Sequence, residues 1–484
     1  MKILLIKPPQ NPNLATTSLY EPLDLEYLGA SLKDFSVRIL DMRIDRNLRR
    51  ELMDFKPDLA GITAYTCEYN TAVQILREIR LFDKSIITVA GGHHATFMPD
   101  DFVLPWVDTV FMGYADSTFP RYVNALGNPD KLGEIPNIGI IENNSVRYTN
   151  KIFSVPDLNS LPPPDRSLIS KYMGKYHDPV RNRMSLIMTS RGCPFRCNFC
   201  ACWKLMDGKY SARTPESIID ELKSLPEEID NVYFSDDNTF HDIDRMWRLS
   251  SLIRKNNIRK KLQMYARADT IVKNPDLFVD LAGAGLKFVT IGFESFRDSD
   301  LDFYKKKTSV EMNTRAIHFL KKLNIYILAH FIIRPEYTKD DFRQLLDYAD
   351  RNNLFRPAYP VLTPLPGTEL YQETKGTFAI TNFDFFDFTH SILPTKLEPV
   401  DFYRELTNLY MKSYSVFRLL KHRFNRLFSL NKENNFTDNT DGITIRKLLL
   451  VYFFSVVAWM KLRRSFSGRS KHVFKSPDFR TYPV

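Results

Sequence analysis

Arg191-Gly-Cys-Pro-Phe-Arg-Cys-Asn-Phe-Cys-Ala-Cys-Trp203 holds four of the chain's five cysteines within thirteen residues. Cys193, Cys197 and Cys200 are spaced C-x3-C-x2-C, and Cys202 follows two positions later. Thiols this close either crosslink or ligate. The N-terminal MKILLIKPPQ is too short an apolar run for a secretory segment and reads as a first strand. Ligation in a reducing, cytoplasmic setting is therefore the expectation. Structural zinc wants four ligands in two separated pairs, which this sequence does not offer. Three close thiolates suit an iron–sulfur cluster with one iron left open. Cys202 lies outside that spacing and is read as a local packing residue, and Cys67 as a buried thiol.

Residues 184–190 form an apolar run that leads straight into the cysteines, and strand and helix patterns alternate beyond it. Strands are expected at 232–235, 262–265, 288–293, 326–333 and 358–361. Together with 184–190 they make six parallel strands, whose site belongs at their carboxyl ends. Asp236-Asp237, Arg267 with Asp269, and Glu294 follow three of those ends. No nucleophile–histidine pair stands out.

Upstream, strands are expected at 2–7, 37–41, 59–65, 86–90 and 109–112, with helices at 23–33 and 70–82 between them. This alternation predicts a parallel sheet covered on both faces. Small and hydroxyl residues follow its strands: Thr63-Ala-Tyr65-Thr66, Gly91-Gly92-His93-His94-Ala-Thr96 and Gly113-Tyr114-Ala-Asp116. They would let a large flat ligand lie against the backbone at the strand ends. No G-x-G-x-x-G follows the first strand, which disfavours a dinucleotide. A Pro-rich linker is expected at 151–184.

The 484 residues are 44% hydrophobic and 26% charged, as in globular proteins of two or three domains. No run approaches eighteen apolar residues. The net charge of +10 is uneven, because residues 412–484 carry +11 and the rest −1. The basic pI of 9.1 thus describes an appendage, and nucleic acid is not an expected partner. Residues 448–460 are apolar and bracketed by basic residues. Such a tail could lie in a membrane interface or pack on the body as a helix.

The C-x3-C-x2-C run after a strand, with Phe199 before the third cysteine, closely resembles the radical S-adenosylmethionine (SAM) superfamily. The first 150 residues resemble the cobalamin-binding domain found ahead of many such enzymes, notably at Gly91-Gly-His-His-Ala-Thr96. Two departures stand out. Gly113-Tyr-Ala-Asp116 replaces an acidic Gly-Glu-Gly-Glu, and the loop after the first strand has no axial histidine. The Gly-rich turn of the superfamily's fifth strand is here Phe331-Ile-Ile-Arg-Pro-Glu336. Ser190-Arg-Gly-Cys-Pro, Cys-Ala-Cys-Trp-Lys with Tyr210, Pro366-Gly-Thr-Glu369 and Phe386-Asp-Phe-Thr-His-Ser391 resemble the hopanoid C-3 methylase group over residues 1–412.

The resemblance implies an α/β chain. A doubly wound parallel-sheet cobalamin domain (1–150) would precede a linker (151–184), a partial (β/α)6 radical SAM barrel (185–375) and a mainly helical C-terminal region (376–484). It implies a 4Fe–4S cluster on Cys193, Cys197 and Cys200, SAM near Phe199, Asp236, Arg267 and Glu294, and cobalamin near Thr63, Tyr65, Thr66, Gly91, Gly92, His94, Gly113 and Tyr114. One SAM would be cleaved to an adenosyl radical that takes a substrate hydrogen, and a second would recharge cobalamin with the methyl group. The expected partners are an apolar, hopanoid- or terpenoid-like lipid substrate and an external one-electron reductant, with the tail at the inner face of the membrane. Ring formation without methyl transfer, RNA modification and a non-catalytic cobalamin or iron sensor that docks on membranes through its tail are the alternatives. The first 150 residues hold one cysteine, Cys67, not the trio of RNA methylthiotransferases.

Overall fold

A computed structural model describes residues 1–12, 18–152, 155–179 and 182–415. The expectations for the basic tail beyond residue 415 lie outside the described residues. Strands β1 (Lys2–Lys7), β2 (Ser36–Asp41), β3 (Leu59–Thr63), β4 (Ile87–Gly91) and β5 (Thr109–Phe111) form a parallel sheet in the order β2-β1-β3-β4-β5. β6 (Ile138–Glu142) and β7 (Ser145–Tyr148) extend it antiparallel as a hairpin that the strand–helix reading does not contain. Asn143 and Asn144 both take positive φ (51° and 59°), as a tight two-residue hairpin turn requires.

Side chains of β1 alternate between two cores, Leu4 and Ile6 on one face and Ile3 and Leu5 on the other. Helices Leu48–Phe55 and Tyr69–Phe82 cover the first face; Leu23–Ala30 and Thr118–Ala125 cover the second. Arg166–Lys175, within the expected linker, forms 3-10 turns whose Ile169 and Tyr172 are buried in the second core.

β8 (Met184–Ile187) opens the second unit. A short antiparallel pair, β9 (Ser190–Arg191) and β10 (Ser211–Ala212), then brackets the cysteine loop. β11 (Asn231–Phe234), β12 (Lys261–Tyr265), β13 (Leu286–Glu294) and β14 (Tyr326–Phe331) complete a parallel sheet ordered β14-β13-β12-β11-β8. The sixth expected strand joins through two parallel bridges, His330 to Ala358 and Ile333 to Val361. Helices pack on one side of this sheet through Leu222, Leu249, Leu281, Leu320, Leu345 and Leu409. Polar caps start several of them, including Asp242, Ser309 and Thr338.

β8 is an edge strand, and side chains seal its free edge. Glu21 accepts from Leu186 N (2.6 Å), Arg166 donates to Leu186 O (2.7 Å), and Arg213 donates to Met188 O (3.1 Å). Glu26 lies in this seal, wholly buried, with neither carboxyl oxygen hydrogen-bonded. Burial and the Glu21 charge push its pKa well above the ordinary carboxylate range. Among the described residues, no helix is long and apolar enough to cross a membrane.

Candidate functional site

Strand order reverses between β1 and β3, the place where open α/β sheets bind ligands. At that point Lys7 pairs with Glu68 (3.1 Å), both buried, and lies 4.5 Å from the Tyr65 ring centroid. Glu68 also accepts from Tyr65 N (3.0 Å), which holds Tyr65 at the rim with 58% of its surface exposed. Gly92 has φ 92°, and a Cβ there would stand 2.6 Å from Thr63 Oγ1 and 2.7 Å from Ala64 N. Only glycine lets the loops after β3 and β4 press together. Thr96 donates to Gly92 O (2.8 Å) and accepts from Gly113 N (2.9 Å), tying in the loop after β5. Nothing lies within 4 Å of a Cβ built on Gly113, so the rim is open there.

His94 and Thr66 do not line this rim, contrary to the sequence expectation. His94 is fully buried, its Nδ1 on Thr66 Oγ1 (3.2 Å) and its Nε2 on Asp101 (3.1 Å), packed between Tyr69 and Phe383. The residue left in the groove is His93, between Tyr65 and Phe97. Burial and the His94 charge lower its pKa to about 4, which keeps it neutral. Cys67 is buried, and that burial raises its thiol pKa to about 12.

The facing rim is built from the second sheet. Cys193 and Cys200 are half-buried and Cys197 is buried. Trp203 Nε1 donates to Cys197 O (3.1 Å), Asn198 donates to Phe303 O (2.8 Å), and Gly192 N donates to Asp237 (2.8 Å). Phe199 meets Tyr304 edge-on at 5.3 Å. The Arg267 guanidinium stacks 3.7 Å from the Phe195 centroid and bonds Asp269 (2.9 Å) and Lys306 O (2.6 Å). At the end of β13 the register against β14 shifts between Gly292 and Glu294, and Glu294 takes φ 63°. Such a bulge re-aims a side chain, and here it places Glu294 on Lys306 (2.7 Å).

Asp236, expected to touch SAM, is fully committed to the fold. It accepts from Thr189 N (2.7 Å), Ser190 N (2.9 Å) and the Thr189 hydroxyl. Asp237, half-buried, is the carboxylate that stays beside the cysteine loop. Cys202, read from the sequence as a local packing residue, is half-buried next to Cys200 and Asp237. Its position is felt at Tyr65 and Tyr114 from the first rim and at Tyr265 from the second. Arg191 of the cysteine loop pairs with Asp116 and lies 4.3 Å from the Tyr114 ring centroid, so the two rims face each other across one chamber. Rings of Tyr20, Tyr233 and Tyr265 continue it, each 5.6 Å from the next.

Two elements close the seam. A Cβ on Gly367 would lie 2.2 Å from Phe97, so the Pro-Gly-Thr loop sits flat on the first unit. Asn11 donates to Cys67 O (2.6 Å) and Asp384 O (2.8 Å), fastening the 380–390 segment across both units. In that segment His390 is packed, its Nδ1 on Asp387 (2.6 Å). Arg334 stands on Asp300 (2.8 Å) over the Phe303 ring, where the expected glycines are missing.

Sequence reasoning missed Arg191 and Lys306 as rim residues, and of the Asp236-Asp237 pair it took Asp236 for the SAM contact. Lys306 sits inside Lys305-Lys306-Lys307, which reads as a solvated charge run, yet its charge and that of Arg267 both reach Cys197. This donor set fits a 4Fe–4S cluster: three accessible-to-buried thiols on one loop, with two cations to offset thiolate charge. The first rim fits a corrinoid, since its loops are crowded to bare backbone at Gly92 and open above Gly113.

Residues 187–349 match the sequence model of the radical SAM superfamily and residues 14–123 that of the B12 binding domain. The chain is a cobalamin-binding radical SAM enzyme. It is 24% identical over 400 residues to a hopanoid C-3 methylase of Methylococcus capsulatus, covering 80% of this chain and 75% of that one. It is 27% identical over 427 residues to an anaerobic magnesium-protoporphyrin IX monomethyl ester cyclase of Rubrivivax gelatinosus, covering 85% and 73%. Among solved structures it superposes with TM-score 0.69 on OxsB, a cobalamin-dependent SAM radical enzyme with aqua-cobalamin and SAM bound. That match is 17% identical and covers 99% of this chain and 82% of OxsB. The shared fold is a parallel-sheet cobalamin domain followed by a radical SAM barrel.

Proposed function

We propose that this radical SAM enzyme is a C-methyltransferase acting on an unactivated carbon of an uncharged, apolar lipid of the hopanoid or terpenoid type. The observation that carries this reading is the pairing of charges around the chamber. Lys7 holds Glu68, Arg191 holds Asp116, Arg267 holds Asp269, Lys306 holds Glu294 and Arg334 holds Asp300. A substrate phosphate or carboxylate would have to displace one of these carboxylates, leaving it buried and unpaired. Tyr20, Tyr65, Tyr114 and Tyr265 add phenolic rings to the rims. Such rings suit a flat apolar body and offer hydroxyls at its edge. The likeness to the hopanoid methylase points the same way.

When bound, the cluster with SAM supplies one-electron chemistry at an unreactive C–H bond, and the corrinoid supplies a transferable methyl group. The chain's own residues hold the two rims in register, keep the named cations paired and exclude water. Thr63, Gly91, Gly92, Gly113 and Tyr114 are assigned to the corrinoid, with Tyr65 beside it. Phe199, Arg267 and Glu294 are assigned to SAM, and Cys193, Cys197 and Cys200 to the cluster. We place the protein in the cytoplasm, taking electrons from an external reductant. Its +11 C-terminal segment would rest on anionic lipid at the inner membrane face. Domain limits near residues 150, 184 and 375 complete the reading.

The likeness to the protoporphyrin ester cyclase favours one alternative, carbon–carbon bond formation without methyl transfer. Product analysis with a neutral pentacyclic triterpenoid separates the two. Methyl transfer yields S-adenosylhomocysteine together with 5′-deoxyadenosine. Deoxyadenosine alone during turnover would overturn the methyltransferase reading.

A further inference from the structure

Arg191 belongs to the cysteine loop but spends its side chain on the other unit. It closes β9, two residues before Cys193, and is 9% exposed. Its guanidinium meets Asp116 through both terminal nitrogens, Nη2 to Oδ1 at 3.0 Å, and lies 4.3 Å from the Tyr114 ring centroid. Asp116 and Tyr114 belong to the loop after β5, at the rim assigned to the corrinoid. That loop is tied to the β4 loop through Gly113 N on Thr96 Oγ1 (2.9 Å). On the opposite side, Gly192 N is held by Asp237 (2.8 Å), whose charge is felt at Tyr114 and at Cys193. One short path, Gly113–Tyr114–Asp116–Arg191–Gly192–Cys193, thus runs from the corrinoid rim to the first cluster ligand.

We propose that Arg191 is a positioning residue that couples the two cofactor sites, so that filling either one favours filling the other. This rests on the two-cofactor reading and goes beyond it. A planar guanidinium gripping a carboxylate at two points fixes orientation as well as distance, which a lysine cannot. The Gly113–Asp116 loop must be set for the corrinoid, and the Arg191–Cys193 segment must be set for the cluster. Because one bidentate pair joins them, ordering one orders the other, and linkage requires the effect to be reciprocal. The Gly113–Asp116 stretch keeps the acidic residue of Gly-Glu-Gly-Glu at 116, where it serves the cysteine loop, and its departure at Tyr114 supplies a face for the same arginine.

The test is the affinity for hydroxocobalamin of the full chain, with and without a reconstituted cluster, read from cobalamin absorbance and not from turnover. The wild type is expected to bind cobalamin about fivefold or more tightly when the cluster is present. In Asp116→Asn and Arg191→Lys the ratio should fall towards one, while each still binds iron with the absorbance of an intact cluster. A purely structural role would weaken binding equally in both states and leave the ratio unchanged. That result, or a ratio of one in the wild type, overturns the coupling. A wild type that takes up no cobalamin would overturn it together with the two-cofactor reading.

Discussion

The two rims that face the chamber are made in opposite ways. The first is backbone brought close by small residues, with Gly92 pressed on Ala64 and Gly113 open above. The second is side-chain chemistry, three thiols flanked by Arg267 and the Glu294–Lys306 pair. A large ligand with many neutral polar groups needs shape and backbone donors, whereas a charged cluster and a zwitterion need compensated charge. The contrast predicts that damage to one rim should spare the cofactor of the other, apart from the coupling through Arg191.

The largest effect should come from Cys197→Ala. Iron–sulfur absorbance and SAM cleavage should both fall to background, while cobalamin is retained, more weakly, on the first rim. Loss of both cofactors' spectra together would break the comparison. Lys306→Ala should come next, because it leaves Glu294 buried without its partner. A cost of about 3 kcal/mol is expected for breaking such a pair, seen in denaturant unfolding and in weakened SAM binding. Unchanged SAM affinity would remove Lys306 from the site.

Gly92→Ala should cost about 1–3 kcal/mol through the positive φ and the contact with Ala64. Its signature is loss of bound cobalamin with a normal iron content. A variant that still binds cobalamin normally would contradict the backbone-built rim.

The smallest effect is a pH dependence at the sealed edge of β8. Glu26 has a raised pKa when folded, so above about pH 4.5 the unfolded chain releases a proton that the folded chain keeps. Glu26 therefore costs no stability at low pH, and its cost grows as pH rises from 4.5 towards its folded pKa. Glu26→Gln removes the proton exchange at nearly constant shape. Its melting temperature relative to wild type should climb with pH across that window, and a constant difference would refute the assignment.

Much of this contrast is legible in the sequence because it rests on local spacing. The C-x3-C-x2-C run, the strand–helix alternation and the Gly91-Gly92 turn each declare themselves within a few residues. What the sequence hides is direction and distance. His93 and His94 are adjacent, yet the positive φ of Gly92 starts a helical turn that sends His94 into the core and leaves His93 in the groove. Asp236 and Asp237 divide likewise, one spent on the β8 exit and the other left at the cluster loop. Lys306 is masked by the lysines beside it. Arg191 and Asp116 are 75 positions apart, and nothing local in either links them. The hairpin of β6 and β7 escapes a reading tuned to parallel strands, although its Asn143-Asn144 turn was there to be used.

The central claim is that one chain carries both rims and fills both. The most direct test is the visible and spin-resonance spectrum of the full chain, purified anaerobically with cobalamin supplied, its cluster reconstituted, before and after reduction. The account predicts a 4Fe–4S signal and a bound cobalamin signal in the same protein. A normal cluster in a chain that holds no cobalamin would contradict it.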